Sequence, residues 1–170
     1  MLLLALSLAH AQTDIGTTKK FGLGIGTGPT TIALTGKYFF NEKSGLAFFA
    51  GTSFVSHQAR VAYQSNIHSW GDNWSWGQLP LYWHVDVEGG LDAYPGYAGY
   101  PRLGVGGGVG VALQFKKVPI EVYADVGIGV YPVNGYCSAV AADAAALTGI
   151  DVSAGCWIGG MGGGGARWYF

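Results

Sequence analysis

The sequence predicts an all-β fold: an eight-stranded antiparallel up-and-down transmembrane β-barrel with a lumen filled by polar side chains. Three observations carry the prediction. Charged residues make up 11% of the 170-residue chain, against roughly 25% in an average soluble domain. Glycine accounts for 30 residues, more than double its usual share of about 7%. Mean hydropathy is only +0.27, and after the first dozen residues no apolar run approaches the roughly 20 residues of a membrane helix. Low charge without a spanning helix fits strands, whose lipid-facing signal is spread over alternate residues. The aromatic and β-branched content excludes disorder. A formal net charge of −1 gives no basic footprint for nucleic acid.

Residues 1–11 read as the remains of a secretory signal, and 12–170 as the barrel. Leu2 to Leu8 form a short apolar region, and Ala9-His10-Ala11 is an A-x-A-type cleavage site. The missing Lys or Arg before the apolar region departs from the pattern and points to a true start further upstream. The alternative is a structural N-terminal strand or helix. Lys20 to Thr27 alternates large apolar residues with Gly, the period of a strand, and Gly28-Pro29-Thr30 turns it. In Thr31 to Phe40, Ile32, Leu34, Gly36 and Tyr38 share one face, opposite Thr31, Ala33, Thr35 and Lys37. Asn41 to Ser44 is a polar turn. A third strand, Gly45 to Val55, groups Leu46, Phe48, Ala50 and Phe54.

A fourth strand over Ala59 to His68 sets Val61, Tyr63 and Ile67 against Arg60, Gln64, Asn66 and His68, before a Trp-rich connection over 69–78. Leu79 to Leu91 alternates firmly, with Tyr82, His84, Asp86 and Glu88 on its polar face. Asp92 to Pro101 reads as a Gly/Pro/Tyr loop. In the sixth strand, Arg102 to Phe115, valines and leucines oppose Gly104, Gly106, Gly108, Gly110 and Gln114. Those glycines leave room for Tyr82 or Tyr123 from the facing wall. The seventh strand, Ile120 to Tyr131, places Glu121, Tyr123, Asp125 and Tyr131 opposite its aliphatic residues. A long loop over 132–149 holds an Ala-rich segment, Ala139 to Leu147, suited to a short helix. The eighth strand runs from about Ile150 to Phe170 with a bulge or bend among its glycines.

An even strand count leaves both termini on one side, the periplasm in bacterial barrels. Across five strands the charged residues Lys37, Arg60, Asp86, Glu88, Glu121, Asp125 and Arg167 fall opposite the apolar face. Phe21, Tyr38, Phe40, Phe115, Trp168 and Phe170 gather at the periplasmic strand ends as an interface girdle. Tyr94, Tyr97, Tyr100, Tyr131 and Tyr136 supply the external ends.

The secretory start, the alternating Gly-rich strands and the terminal Arg167-Trp168-Tyr169-Phe170 resemble the small eight-stranded outer-membrane barrels of the OmpA/OmpX type. They also resemble uncharacterised outer-membrane barrel families with a Gly-x-Gly…Pro-Thr…Gly-Lys-Tyr-Phe opening, here Gly24 to Phe39. The resemblance implies residence in the bacterial outer membrane, with lipid as the surroundings. It also implies that Trp168 and Phe170 form the signal read by the barrel-assembly machinery.

An eight-stranded barrel is just wide enough for its side chains to fill, so the seven inward charges form a paired lumen network. A narrow ion path or small-ligand site is the sharper reading. Cys137 and Cys156, the only cysteines, suggest a disulfide in an exported protein; independent thiols are the alternative. No cofactor or metal is expected, since His57, His68 and His84 lack ligand spacing. The expected role is structural or surface-interacting, with an extracellular ligand reached through loops 92–101 and 132–149 and without catalysis. A lipid hydrolase using His68 or His84, a narrow pore and a soluble lipocalin-like carrier are the alternatives.

Overall fold

Residues alternating about an extended backbone present one face inward and one outward, and eight such segments close on themselves here. The computed structural model describes residues 14–28, 31–54, 56–94, 97–150 and 153–170. The proposed signal, residues 1–11, lies outside them. The strands are β1 (Phe21–Thr27), β2 (Ile32–Phe39), β3 (Ser44–Thr52), β4 (Ser56–Trp70), β5 (Gly77–Tyr94), β6 (Tyr97–Phe115), β7 (Ile120–Asn134) and β8 (Ile158–Tyr169). Each pairs antiparallel with its neighbours in sequence, and β8 pairs with β1 to close the barrel. The closing register sets Leu23 opposite Trp168 and Gly24 opposite Arg167. Phe170 N–H donates to the Phe21 carbonyl at 2.9 Å, so the start of β1 and the end of β8 meet at one rim.

Side-chain parity is inverted relative to a soluble domain. Ile25, Ile32, Leu34, Val126 and Ile128 are each about two-thirds or more exposed on the outside. Lys37, Asp86, Glu121 and Arg167 are buried within. The apolar exterior of β7, from Ile120 to Val130, spans about 25 Å along the barrel axis at a strand rise of about 3.3 Å and a tilt of about 40°.

The strands depart from the sequence expectations in length. β3 ends at Thr52, and Phe54 lies outside the strand, fully exposed. β4 is longer than expected, and the wide Trp-rich connection shrinks to a turn over 71–76. A bulge between Asn66 and His68 shifts the register. One extra residue reverses every side chain beyond it, so His68 faces outward beside Trp70, with ring centres 4.8 Å apart, instead of joining the lumen. The expected loop 92–101 is not a loop. Leu91 pairs with Pro101, Asp92 with Tyr100 and Tyr94 with Tyr97, carrying the β5–β6 hairpin past the Ser56 end of β4 and the Asn134 end of β7.

β8 begins only at Ile158. Before it come a helix, α1 (Gly135–Thr148), and a 3₁₀ turn, Ser153–Trp157. Asn134 caps α1, its Oδ1 accepting from Cys137 N–H at 3.3 Å, and the left-handed Gly149 ends it. At the opposite rim, residues 14–20 fold back across the barrel mouth. Ile15 is buried there against Phe39 and Tyr169.

Candidate functional site

The inward polar residues form three groups stacked along the lumen. Nearest the termini, Glu121 is the hub. Its Oε1 accepts from Arg167 Nη1 and from the Tyr169 hydroxyl, each at 3.0 Å. Its Oε2 accepts from Gln114 Nε2 at 2.8 Å and lies 3.9 Å from Lys37 Nζ. Arg167 also donates through Nε and Nη2 to Thr35 Oγ1 at 3.0 and 2.8 Å, and its guanidinium lies 3.7 Å over the Tyr123 ring. Lys37 Nζ sits 4.3 Å from the centre of Phe39. The register explains the convergence: Glu121 pairs with Arg167 across β7–β8, and Gly24 on β1 is in register with both Arg167 and Thr35 on β2.

In the middle group, Arg60 Nη1 bridges Asp86 Oδ2 at 3.4 Å and Asp125 Oδ1 at 3.2 Å. Tyr82 donates to Asp125 Oδ2 at 3.3 Å, and His84 Nδ1 lies 2.7 Å from Asp86 Oδ1. Toward the other end, Arg102 binds Glu88 at 2.6 Å and lies 3.9 Å from Asp92, with its guanidinium 5.3 Å from the Tyr131 ring centre.

All seven charges expected in the lumen are therefore inside and ion-paired, in separate groups rather than one chain. Arg102 and Asp92 were missed. Treating 92–101 as a loop hid Asp92, and Arg102 shares the inward parity of Gly104, which is the signal that could have found it. Tyr131, on the polar face of the seventh strand, is buried inside rather than exposed in an external aromatic girdle. The side chains of Tyr94 and Tyr97 lie outside the described residues. At the termini rim, Phe21, Tyr38, Phe40, Trp168 and Phe170 are all exposed outward.

The β6 glycines make room for neighbours rather than for the facing wall. A methyl group on Gly110 would stand 2.5 Å from Tyr82 on the adjacent strand β5. One on Gly104 would stand 2.5 Å from Tyr131 on β7. Tyr123 instead reaches over Gly26 and donates to Thr35 Oγ1 at 3.0 Å.

Cys137 and Cys156 are joined, with Cα atoms 5.5 Å apart. Asn134 Nδ2 donates to the Cys156 carbonyl at 3.0 Å, so one side chain and one disulfide hold α1 to the 3₁₀ turn before β8. Among the described residues, no group of three or more His, Cys, Asp or Glu side chains is arranged to hold a metal ion. His84 and Asp86 have the geometry of a base and its orienting carboxylate. His84 Nε2 is buried with no partner among the described residues, and the ring is enclosed in the lumen rather than open to a substrate.

No protein-family model, curated protein or solved structure matches the chain.

Proposed function

We propose that this protein is an outer-membrane β-barrel of the small OmpA/OmpX-like kind, with a structural or surface-interacting role rather than a catalytic one. The observation that carries the reading is the inverted polarity of a closed barrel, with aliphatic side chains exposed outside and buried, paired charges within. Water penalises such an exterior, and hydrocarbon does not. A lipocalin-like carrier for apolar ligands needs the opposite arrangement. A lipid hydrolase gains no support, because His68 points outward beside Trp70 and His84 is enclosed.

In this reading the barrel-assembly machinery recognises Trp168 and Phe170, which stand exposed on the closing strand. An extracellular ligand meets the projecting β5–β6 hairpin and the disulfide-held α1, the counterparts of the two expected loops. Cell fractionation followed by electrophoresis in detergent tests the proposal. A membrane-fraction band whose mobility changes on boiling supports it. A soluble band indifferent to heat refutes it.

A further inference from the structure

The barrel's cations divide into two sets. Of the nine Lys and Arg residues, Lys37, Arg60, Arg102 and Arg167 lie in the lumen and are ion-paired. The other five, Lys19, Lys20, Lys43, Lys116 and Lys117, all lie at the termini rim. They sit in the folded-back N-terminal segment, the β2–β3 turn and the β6–β7 turn. None of the five takes part in an ion pair among the described residues. Three acidic side chains share that rim, Asp14, Glu42 and Asp72, so its side chains carry a formal excess of two positive charges. At the opposite end no lysine or arginine stands outside the lumen.

The same rim carries exposed tryptophans. Trp74 and Trp76 stack with ring centres 5.1 Å apart in the turn 71–76, and Trp70 precedes it. Lys116 Nζ holds that turn by donating to the carbonyls of Asp72 and Trp74 at 2.7 and 2.9 Å. An ammonium has three donors, so one remains for a ligand. Tryptophan beside lysine, just beyond an apolar belt, is the chemistry of a bilayer interface: rings settle at headgroup level and ammonium groups extend to phosphates.

We propose that this lysine collar binds the phosphates of anionic phospholipids in the leaflet on the side of the chain termini, and that the opposite rim makes no equivalent contact. The inference rests on the membrane reading above and adds to it a lipid preference and a polarity.

The whole protein is reconstituted into vesicles of phosphatidylcholine and phosphatidylglycerol in equal parts, with bromine on the chains of one lipid or the other. Trp70, Trp74, Trp76 and Trp168 report from the collar side. Brominated phosphatidylglycerol should quench them more strongly than brominated phosphatidylcholine at low salt, as each basic residue near an anionic surface changes association by about a factor of five. The excess should vanish near 1 M salt, where the screening length falls to about 3 Å. It should vanish too when Lys19, Lys20, Lys43 and Lys117 are replaced by Gln, leaving Lys116 to hold its turn. Equal quenching by the two lipids in a heat-modifiable wild-type barrel overturns the collar and leaves the membrane reading intact, as does a preference that survives both salt and the substitutions. Absence of quenching by either lipid, with no heat-modifiable band, sinks both. If the substituted protein does not fold, the salt series on the wild type decides.

Discussion

Replacing Glu121 with Gln should be among the most damaging single changes in the barrel. The carboxylate is fully buried, accepts three side-chain hydrogen bonds and stands between two cations. At an effective dielectric of about 20, unit charges about 4 Å apart attract by roughly 4 kcal/mol, and Arg167 is closer than that. Gln preserves shape and one acceptor but leaves Arg167 and Lys37 without their carboxylate. Removing one partner of a buried pair costs about 3–5 kcal/mol. Lys37→Met should behave differently. Lys37 is the more distant cation of the group, 3.9 Å from Glu121, and its Nζ is also held over the Phe39 ring. Deleting it leaves Glu121 paired with Arg167, so no charge is left uncompensated and the loss should be smaller than that of Glu121→Gln. The Glu121→Gln, Lys37→Met double variant should recover part of the Glu121→Gln loss. Equilibrium urea unfolding of the refolded barrel in vesicles measures all three. A Glu121→Gln protein as stable as wild type, or a Lys37→Met loss as large as that of Glu121→Gln, refutes the account of Glu121 as the hub.

Three further outcomes follow from the same geometry. Gly110→Val should lower stability by about 1–3 kcal/mol through overpacking against Tyr82; Gly160→Ala, where nothing lies within 4 Å of the new methyl, should be neutral in the same urea titration. Cys137→Ser with Cys156→Ser opens a crosslink of sequence separation 19, worth about 3 kcal/mol, and the loss should be local. Limited proteolysis should then cut within 135–157 while the barrel band keeps its heat-dependent mobility; loss of that mobility contradicts a local role. Ile15→Ala should uncover the Phe39–Tyr169 pair at the rim at a cost of roughly 2 kcal/mol, read as faster amide exchange over residues 14–20 with β4 and β5 unchanged.

The sequence made the barrel legible because alternation of period two is a direct property of the strand. Lys37, Arg60, Asp86, Glu88, Glu121, Asp125 and Arg167 could be assigned to one face by counting alone. What alternation cannot convey is which strands stay paired past a turn-rich stretch. Pro95-Gly96, embedded in Tyr, Ala and Gly, reads as part of a ten-residue loop, yet strand pairing reaches Tyr94 and Tyr97 on either side of it, and the loop reading hides Asp92. The bulge near Ile67 was invisible for a related reason. One extra residue leaves composition unchanged while reversing parity, so simple alternation puts His68 on the wrong face. Grouping of the charges depends on register across several strands. Arg167 on β8 and Thr35 on β2 both lie opposite Gly24 on β1, so their contact is a property of three strands together.

Spin-label accessibility along β7 tests the central claim most directly. Single nitroxides placed from Ile120 to Tyr131 in the membrane-reconstituted protein are probed with oxygen, which partitions into hydrocarbon, and with a water-soluble nickel chelate. Labels replacing Val122, Ala124, Val126 and Ile128 should collide freely with oxygen and scarcely with nickel, alternating with sheltered sites at Tyr123 and Asp125. Nickel access at Val126 and Ile128 equal to that of a label in the turn 116–119 would put the aliphatic face in water and contradict the account.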